Sequence, residues 1–354
     1  MKNISKITTL SLTMVAFIVN TICAQSFSDQ FVRVQPTDNE VDDYFVGKFA
    51  VTNAEWQAFI VPQGISAPSY WPGGNIPEGR ERHPVLWVSA EEAESYCQWL
   101  QQKYPDYTFA LPTEAEWEFA AVGKTGYDYP WGSDAGVTYK DGVLTSRFNF
   151  NAVIAAKMLE TPDMPVTFYK ELSSRYSETV PVSTVISITA NGGVNGWINH
   201  NDYTGFVYTD VFRDINDAGG YTCAVDDYPD GVSPWGAYNM CGNCWEWTST
   251  VKEAQNGAEK GQMVNVIKGG SWYATKASCK ATFQGEGRKG NGRYATVGIR
   301  IVARPVSSSG IYQPVPPVAH PKKRYYSLDG KPRRRPMRGV NIEQEESISR
   351  KIIR

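Results

Sequence analysis

The sequence predicts a mixed fold in which short helices and short strands are joined by long irregular stretches. Composition is the first observation behind this. Eleven Trp, twenty Tyr, 31 Gly and 21 Pro describe a backbone rich in turns and pinned by large rings. Helix-capping signals at the head of separate segments are the second, and strand-like apolar pieces alternating with Gly turns are the third. The chain of 354 residues allows one large domain or two ordinary ones, and 42% hydrophobic residues are ample for a packed core. A net charge of −2 gives no reason to expect nucleic-acid binding.

Residues 1–24 read as a signal peptide. Lys2 and Lys6 form a basic start, Leu10 to Val19 an apolar centre, and Ala24 a small residue for cleavage before Gln25. The apolar run is too short to span a bilayer comfortably, and no other segment looks transmembrane. Asn20 and Ile22 do not suit a lipoprotein signal at Cys23. The expected location is therefore outside the cytoplasm: periplasm, cell surface or extracellular space. The mature chain would hold Cys97, Cys223, Cys241, Cys244 and Cys279, and an odd count leaves one thiol over unless it pairs between chains.

After a polar lead, Ser26 to Asp43, the segment Tyr44 to Ala50 reads as a strand. Val51 to Phe59 reads as a helix capped by Thr52 or Asn53, with Trp56 and Phe59 on one face. Ser89 to Lys103 is a clearer helix. Ser89 and Glu92 form a capping box, and Ala93, Cys97 and Leu100 recur at helical spacing, which makes Cys97 a core thiol. Pro112 and Thr113 start a third helix, where Glu114 and Glu118 suit capping and charge pairing better than acid–base work. Val264 to Lys268 and Val297 to Val302 read as buried strands.

Residues 134–216 show no clear period and read as an insertion. Residues 305–321 are a Ser/Pro-rich linker, and 322–354 form a basic tail around Arg333-Arg334-Arg335. In that tail Tyr326-Ser327-Leu328-Asp329-Gly330, Arg338-Gly339-Val340-Asn341 and Arg350-Lys351-Ile352-Ile353-Arg354 resemble the terminal motifs of sorting domains read by the type IX secretion system. Asn341 stands where those tails carry an aromatic residue.

Seven motifs follow one another between residues 44 and 304. They are Val51-Thr52-Asn53-Ala54-Glu55-Trp56, His83-Pro84-Val85, Leu111-Pro112-Thr113-Glu114-Ala115-Glu116-Trp117-Glu118, Tyr129-Pro130-Trp131-Gly132, Asn239-Met240-Cys241-Gly242-Asn243-Cys244-Trp245-Glu246-Trp247, Gly269-Gly270-Ser271-Trp272 and Gly298-Ile299-Arg300. In this order they resemble the formylglycine-generating enzymes, or sulfatase-modifying factors. The resemblance implies a single α+β domain with a C-type-lectin-like core and little regular secondary structure. Ala110 replaces an Arg usual in that family, and its Met-Gly segment is missing.

In the family, two cysteines at the third and eighth positions after Gly-Gly-Ser hold Cu(I) and oxidise a substrate cysteine. The eighth position here is Cys279, but the third is Ala274. One thiolate and one methyl cannot make a linear bis-thiolate site, so copper is not expected. Ser271 and Trp245, which line the family's pocket, are present. Cys279 is then expected to be a buried thiol or a disulfide partner of Cys223, Cys241 or Cys244.

The resemblance also assigns a calcium site to Asn239, Met240, Gly242, Cys244 and Glu246. That fits calcium's need for six to eight oxygens. The alternative is that Asn239 and Glu246 only satisfy loop N–H groups. A second calcium site would use Asn149 (or Asn151) and Asp217. Cys241-x-x-Cys244 lacks two further zinc ligands, since none of the three His is near in sequence, and is expected to be a structural disulfide or two packed thiols. The resulting expectation is an exported pseudoenzyme, inactive as a formylglycine generator, that binds a protein or glycan of the cell envelope or has a structural role there. The alternatives are a thiol-directed oxidoreductase using Cys279 and a gliding or secretion machinery component.

Overall fold

The computed structural model describes residues 26–35, 43–141, 143–153, 220–255 and 259–306, together with the backbone of strands at 166–170, 176–179, 205–208, 324–326, 332–333, 340–345 and 348–353. The expected signal peptide at 1–24, Asp217 and most of the 305–321 linker lie outside the described residues.

The chain divides into two units, Met1–Pro305 and Val306–Arg354. Among the described residues the first has four α-helices: α1 (Phe27–Gln30), α2 (Asn53–Gln63), α3 (Ala90–Lys103) and α4 (Glu114–Val122). The three longer ones start with the same device. Thr52 caps α2 by accepting the Glu55 N–H at 3.2 Å while the Glu55 carboxylate accepts the Thr52 N–H at 2.8 Å. Ser89 with Glu92 and Thr113 with Glu116 repeat this at α3 and α4. In α4 the capping thus falls to Glu116. Glu114 pairs with Lys252, and Glu118 with the buried Lys268 at 2.6 Å.

Two four-stranded sheets organise this unit. The first holds β1 (Phe31–Val34), β2 (Tyr44–Gly47), β3 (Tyr107–Ala110) and, from the far end of the unit, β13 (Val302–Pro305), in the order β1-β2-β13-β3. Val302 is registered against both Val46 and Ala110. The second contains β9 (Trp245–Glu253), β10 (Met263–Lys268), β11 (Gly287–Arg288) and β12 (Val297–Gly298), in the order β11-β10-β9-β12, with β12 parallel to β9. The stretch expected as one strand, Val297 to Val302, is therefore two pieces in two sheets. The chain leaves the second sheet after Gly298 because Arg300 turns its whole side chain into the interior.

Smaller pieces complete the unit: a hairpin of β4 (Thr138–Lys140) and β5 (Val143–Thr145), and a sheet of β6 (Val166–Lys170), β7 (Tyr176–Thr179) and β8 (Gly205–Tyr208). They fall in the segment read as an insertion. Yet Phe148, Asn149, Phe150 and Asn151 in that segment are all fully buried, so this part of it is built into the core. The lead before Tyr44 also carries more structure than its polarity suggests. Phe27 of α1 stacks on Phe31 and on Tyr107 of β3, with centroids 4.6 and 3.8 Å apart.

Among the described residues three apolar clusters fill the interior. One lies under α2 and α3 with Trp56, Phe59, Tyr96, Cys97, Cys244, Trp245 and Trp247. Another surrounds Tyr44, Trp117, Met240 and Val302. The third gathers Tyr129, Phe148, Phe150, Cys241 and Cys279. The second unit is a four-stranded antiparallel sheet of β14 (Arg324–Tyr326), β15 (Pro332–Arg333), β16 (Val340–Glu345) and β17 (Ile348–Ile353), in the order β15-β14-β16-β17. The basic tail thus contains regular strands. Among the described residues no helix is long and apolar enough to cross a membrane.

Candidate functional site

Strand β10 ends at Lys268 and delivers the chain into Gly269 and Gly270, both at positive φ (96° and 76°). Gly270 is required on two counts. Its backbone lies where L side chains are strained, and a Cβ there would collide with the Cys279 sulfur. The loop from Asn239 to Glu246 lies alongside. Gly242 N–H donates to the Gly269 carbonyl at 2.7 Å, and Trp272 N–H donates to the Asn243 carbonyl at 3.0 Å. These two bonds clamp the separate tracts into one site. Asn239 and Asn243 take positive φ (52° and 65°), which Asn tolerates better than most residues.

Cys279 is completely buried, and its sulfur lies 4.0 Å from the Ser271 carbonyl. Burial pushes its thiol up, opposed by the backbone at Ser271 and Gly242. Ala274 is half-buried and packs against the cluster that contains Cys279, and its N–H donates to the Ser271 carbonyl at 2.9 Å. Ser271 is buried, and its hydroxyl accepts the Tyr273 N–H at 3.3 Å. Trp245 belongs to a different apolar cluster, tilted against Phe283 at 6.1 Å. The geometry thus joins Ser271, Ala274 and Cys279 in one turn and places Trp245 in the neighbouring cluster.

All five described cysteines are buried and none is in a disulfide. Cys241 and Cys244 share a loop but point to different neighbours. Cys241 packs in the cluster of Cys279, near the backbone of Ala281, whereas Cys244 packs in the cluster under α2 and α3, with its sulfur against Gly298 and near Cys223. Burial raises both thiols well above the usual cysteine range. That environment is the opposite of the electropositive, partly exposed one that makes a cysteine reactive. Cys97 sits in the core of α3, as its spacing predicted.

The loop expected to hold calcium has its carboxylate committed elsewhere. Arg300 grips Glu246 with two parallel bonds, Nε to Oε2 and Nη2 to Oε1, each 2.8 Å, while Trp117 Nε1 donates to Oε2 at 2.6 Å. Arg300 donates further to the carbonyls of Gly47 and Tyr238, both at 2.7 Å. Arg300 and Glu246 are 0% and 1% exposed, so this is a desolvated ion pair with its polar atoms satisfied. The Gly242 carbonyl accepts the Cys244 N–H at 2.8 Å. A calcium site that needs Glu246 does not fit this arrangement, because a guanidinium already neutralises the carboxylate. Met240 and Cys244 contribute buried side chains to two separate clusters. Asn239 donates its amide to the Val225 carbonyl at 3.0 Å, and its oxygen has no hydrogen-bond partner.

At the second expected site the picture is reversed. Asn149 donates to the Tyr221 carbonyl at 2.7 Å, but its side-chain oxygen, and that of Asn151, are buried without a hydrogen-bond partner. Buried polar atoms normally find one, and uncommitted amide oxygens are the donor type calcium takes. These two residues fit a hard cation. Among the described residues no group of three or more His, Cys, Asp or Glu is placed to hold a metal.

Sequence reasoning overlooked two participants. Arg300 was visible in the Gly-Ile-Arg motif, but nothing local marked its target 54 residues upstream. Asn243 was visible as a loop residue, yet its amide brackets Cys223, accepting that residue's N–H at 2.9 Å and donating to its carbonyl at 3.3 Å.

A mixed α+β domain with few helices and with this clamped Gly-Gly-Ser turn defines a class, and comparison with known proteins gives it a family. Residues 23–305 match the sulfatase-modifying factor enzyme 1-like domain, and the chain belongs to that family. It is 23% identical to the formylglycine-generating enzyme of Mus musculus over 290 residues, covering 68% of this chain and 59% of that protein. It is likewise 23% identical to the hercynine oxygenase of Mycobacterium tuberculosis over 287 residues, covering 69% and 49%. To the inactive C-alpha-formylglycine-generating enzyme 2 of Bos taurus it is 25% identical over 207 residues, covering 58% and 43%. The chain therefore spans about half the length of the curated relatives it matches.

Proposed function

We propose that this chain is an exported, non-catalytic member of its family, a binding or structural module of the cell envelope that does not generate formylglycine. One observation carries the proposal. The position that would supply the second copper thiolate is Ala274, and the remaining Cys279 is fully buried with its thiol pushed up. A soft-metal oxidase needs accessible thiolates in a linear pair. A relative of this chain is itself named as inactive.

The decisive experiment is a Cu(I) titration of the reduced protein with thiol counting, alongside an assay for oxidation of a sulfatase-derived cysteine peptide. We expect no stoichiometric copper and no peptide oxidation. Stoichiometric copper that disappears in Cys279→Ser would overturn the proposal and favour the thiol-directed oxidoreductase. Calcium enters as a bracing ion held by the oxygens of Asn149 and Asn151, supported by their lack of hydrogen-bond partners. Surface delivery by the C-terminal unit is supported by its motifs alone. Deleting residues 325–354 should leave the folded domain intact and block appearance at the surface, and surface display of the truncated protein would refute that role. A gliding or secretion role would show as lost secretion in a deletion strain.

A further inference from the structure

Four of the five mature cysteines lie in two places, and the structure sorts them. We infer that the oxidised protein carries two disulfides, Cys241–Cys279 and Cys223–Cys244, with Cys97 as the single thiol left over. The adjacency of Cys241 and Cys279 is reciprocal. Cys279 lies close to the backbone of Gly242, next to Cys241, and Cys241 lies close to that of Ala281, two residues beyond Cys279. Both pack in the cluster of Tyr129, Phe148 and Phe150. The clamp between Gly242 and the Gly269 carbonyl at 2.7 Å fixes the two backbones side by side.

The other pair is held by Asn243. Its amide bonds both the N–H and the carbonyl of Cys223, at 2.9 and 3.3 Å, which sets Cys223 beside Cys244. A Cys241–Cys244 bond, the pairing that the C-x-x-C spacing suggests, is disfavoured because the two sulfurs lie in different apolar clusters. Cys97 sits on α3 among Trp56, Tyr96 and Leu100, and its burial raises its thiol on desolvation alone for the most part.

Each bond forms by thiol–disulfide exchange. Two thiols lose two protons and two electrons, and a disulfide co-oxidant takes them up as two thiols. Because all four sulfurs are buried in the folded protein, exchange has to precede or accompany folding. The inference stands apart from the proposed function, since it concerns the pairing of the thiols and not what the domain binds.

The test is a peptide map. The full chain is unfolded and reduced, refolded with oxidised glutathione as the co-oxidant, then denatured, alkylated without reduction and digested. We expect two cross-linked peptide pairs, 241 with 279 and 223 with 244, and alkylation at Cys97 alone among the five mature cysteines. Cys97→Ser should keep both cross-links, and Cys241→Ser should lose one and leave Cys279 open to alkylation. A 241–244 link, Cys97 in any link, or five alkylated mature cysteines would overturn the inference. If Cys241→Ser does not refold, the wild-type and Cys97→Ser maps decide it unaided.

Discussion

In the loop from Asn239 to Glu246 a buried carboxylate is enclosed by Arg300 and Trp117. In the turn from Asn149 to Asn151, two buried amide oxygens face no donor at all. Both segments were expected to serve a cation. The difference follows from charge. A carboxylate cannot be buried without a counter-charge, so the fold must supply one from within, and Arg300 does so. A neutral amide costs less to bury unpaired, so it can wait for a ligand from outside.

The sharpest way to break this comparison is Arg300→Met, which strands Glu246 in the core. The expected loss is about 3–5 kcal/mol in denaturant unfolding, and adding Glu246→Gln should recover part of it. A loss below about 1 kcal/mol would mean that the pair is not the desolvated one described. Next, calcium should raise the melting temperature, by the equivalent of about 2.7 kcal/mol at a hundredfold excess over the dissociation constant. The shift should vanish in Asn149→Ala and Asn151→Ala and survive in Glu246→Gln. An unmoved wild-type melting curve removes calcium from the turn. Gly270→Ala should cost roughly 1–3 kcal/mol, since it strains the backbone as well as crowding Cys279. At the small end, Asp43→Asn breaks the 2.6 Å pair with Arg33, in which both side chains are about half exposed. Its cost should stay under about 1 kcal/mol, so the same kind of bond would differ several-fold between the surface and Glu246.

What the sequence made legible was local or repeated. The three capping boxes announce themselves within four residues, and the apolar spacing of α3 placed Cys97 correctly. The ordered motifs singled out the Gly-Gly-Ser turn and the Asn239 loop, and the structure adds that hydrogen bonds hold them side by side. Hidden features depend on residues far apart. No local pattern shows that Arg300 reaches Glu246, or that this reach divides one apparent strand between two sheets. Phe148 to Asn151 looked like part of an irregular insertion because their partners, Tyr129, Tyr221 and Asn243, come from distant segments. The helix α1 was concealed by its short length, although Phe27 and Phe31 stand one helical turn apart.

Strand β13 has one more consequence. It lies between β2 and β3, so the middle of the first sheet is made of the last residues of the unit to leave the ribosome. Until Val302 to Pro305 arrive, β2 and β3 have exposed edges facing a gap. Assembly of this sheet therefore waits until the end of the first unit has been made and closes a very long loop, which is slow. A truncation that removes only those four residues should be far more damaging than its length suggests.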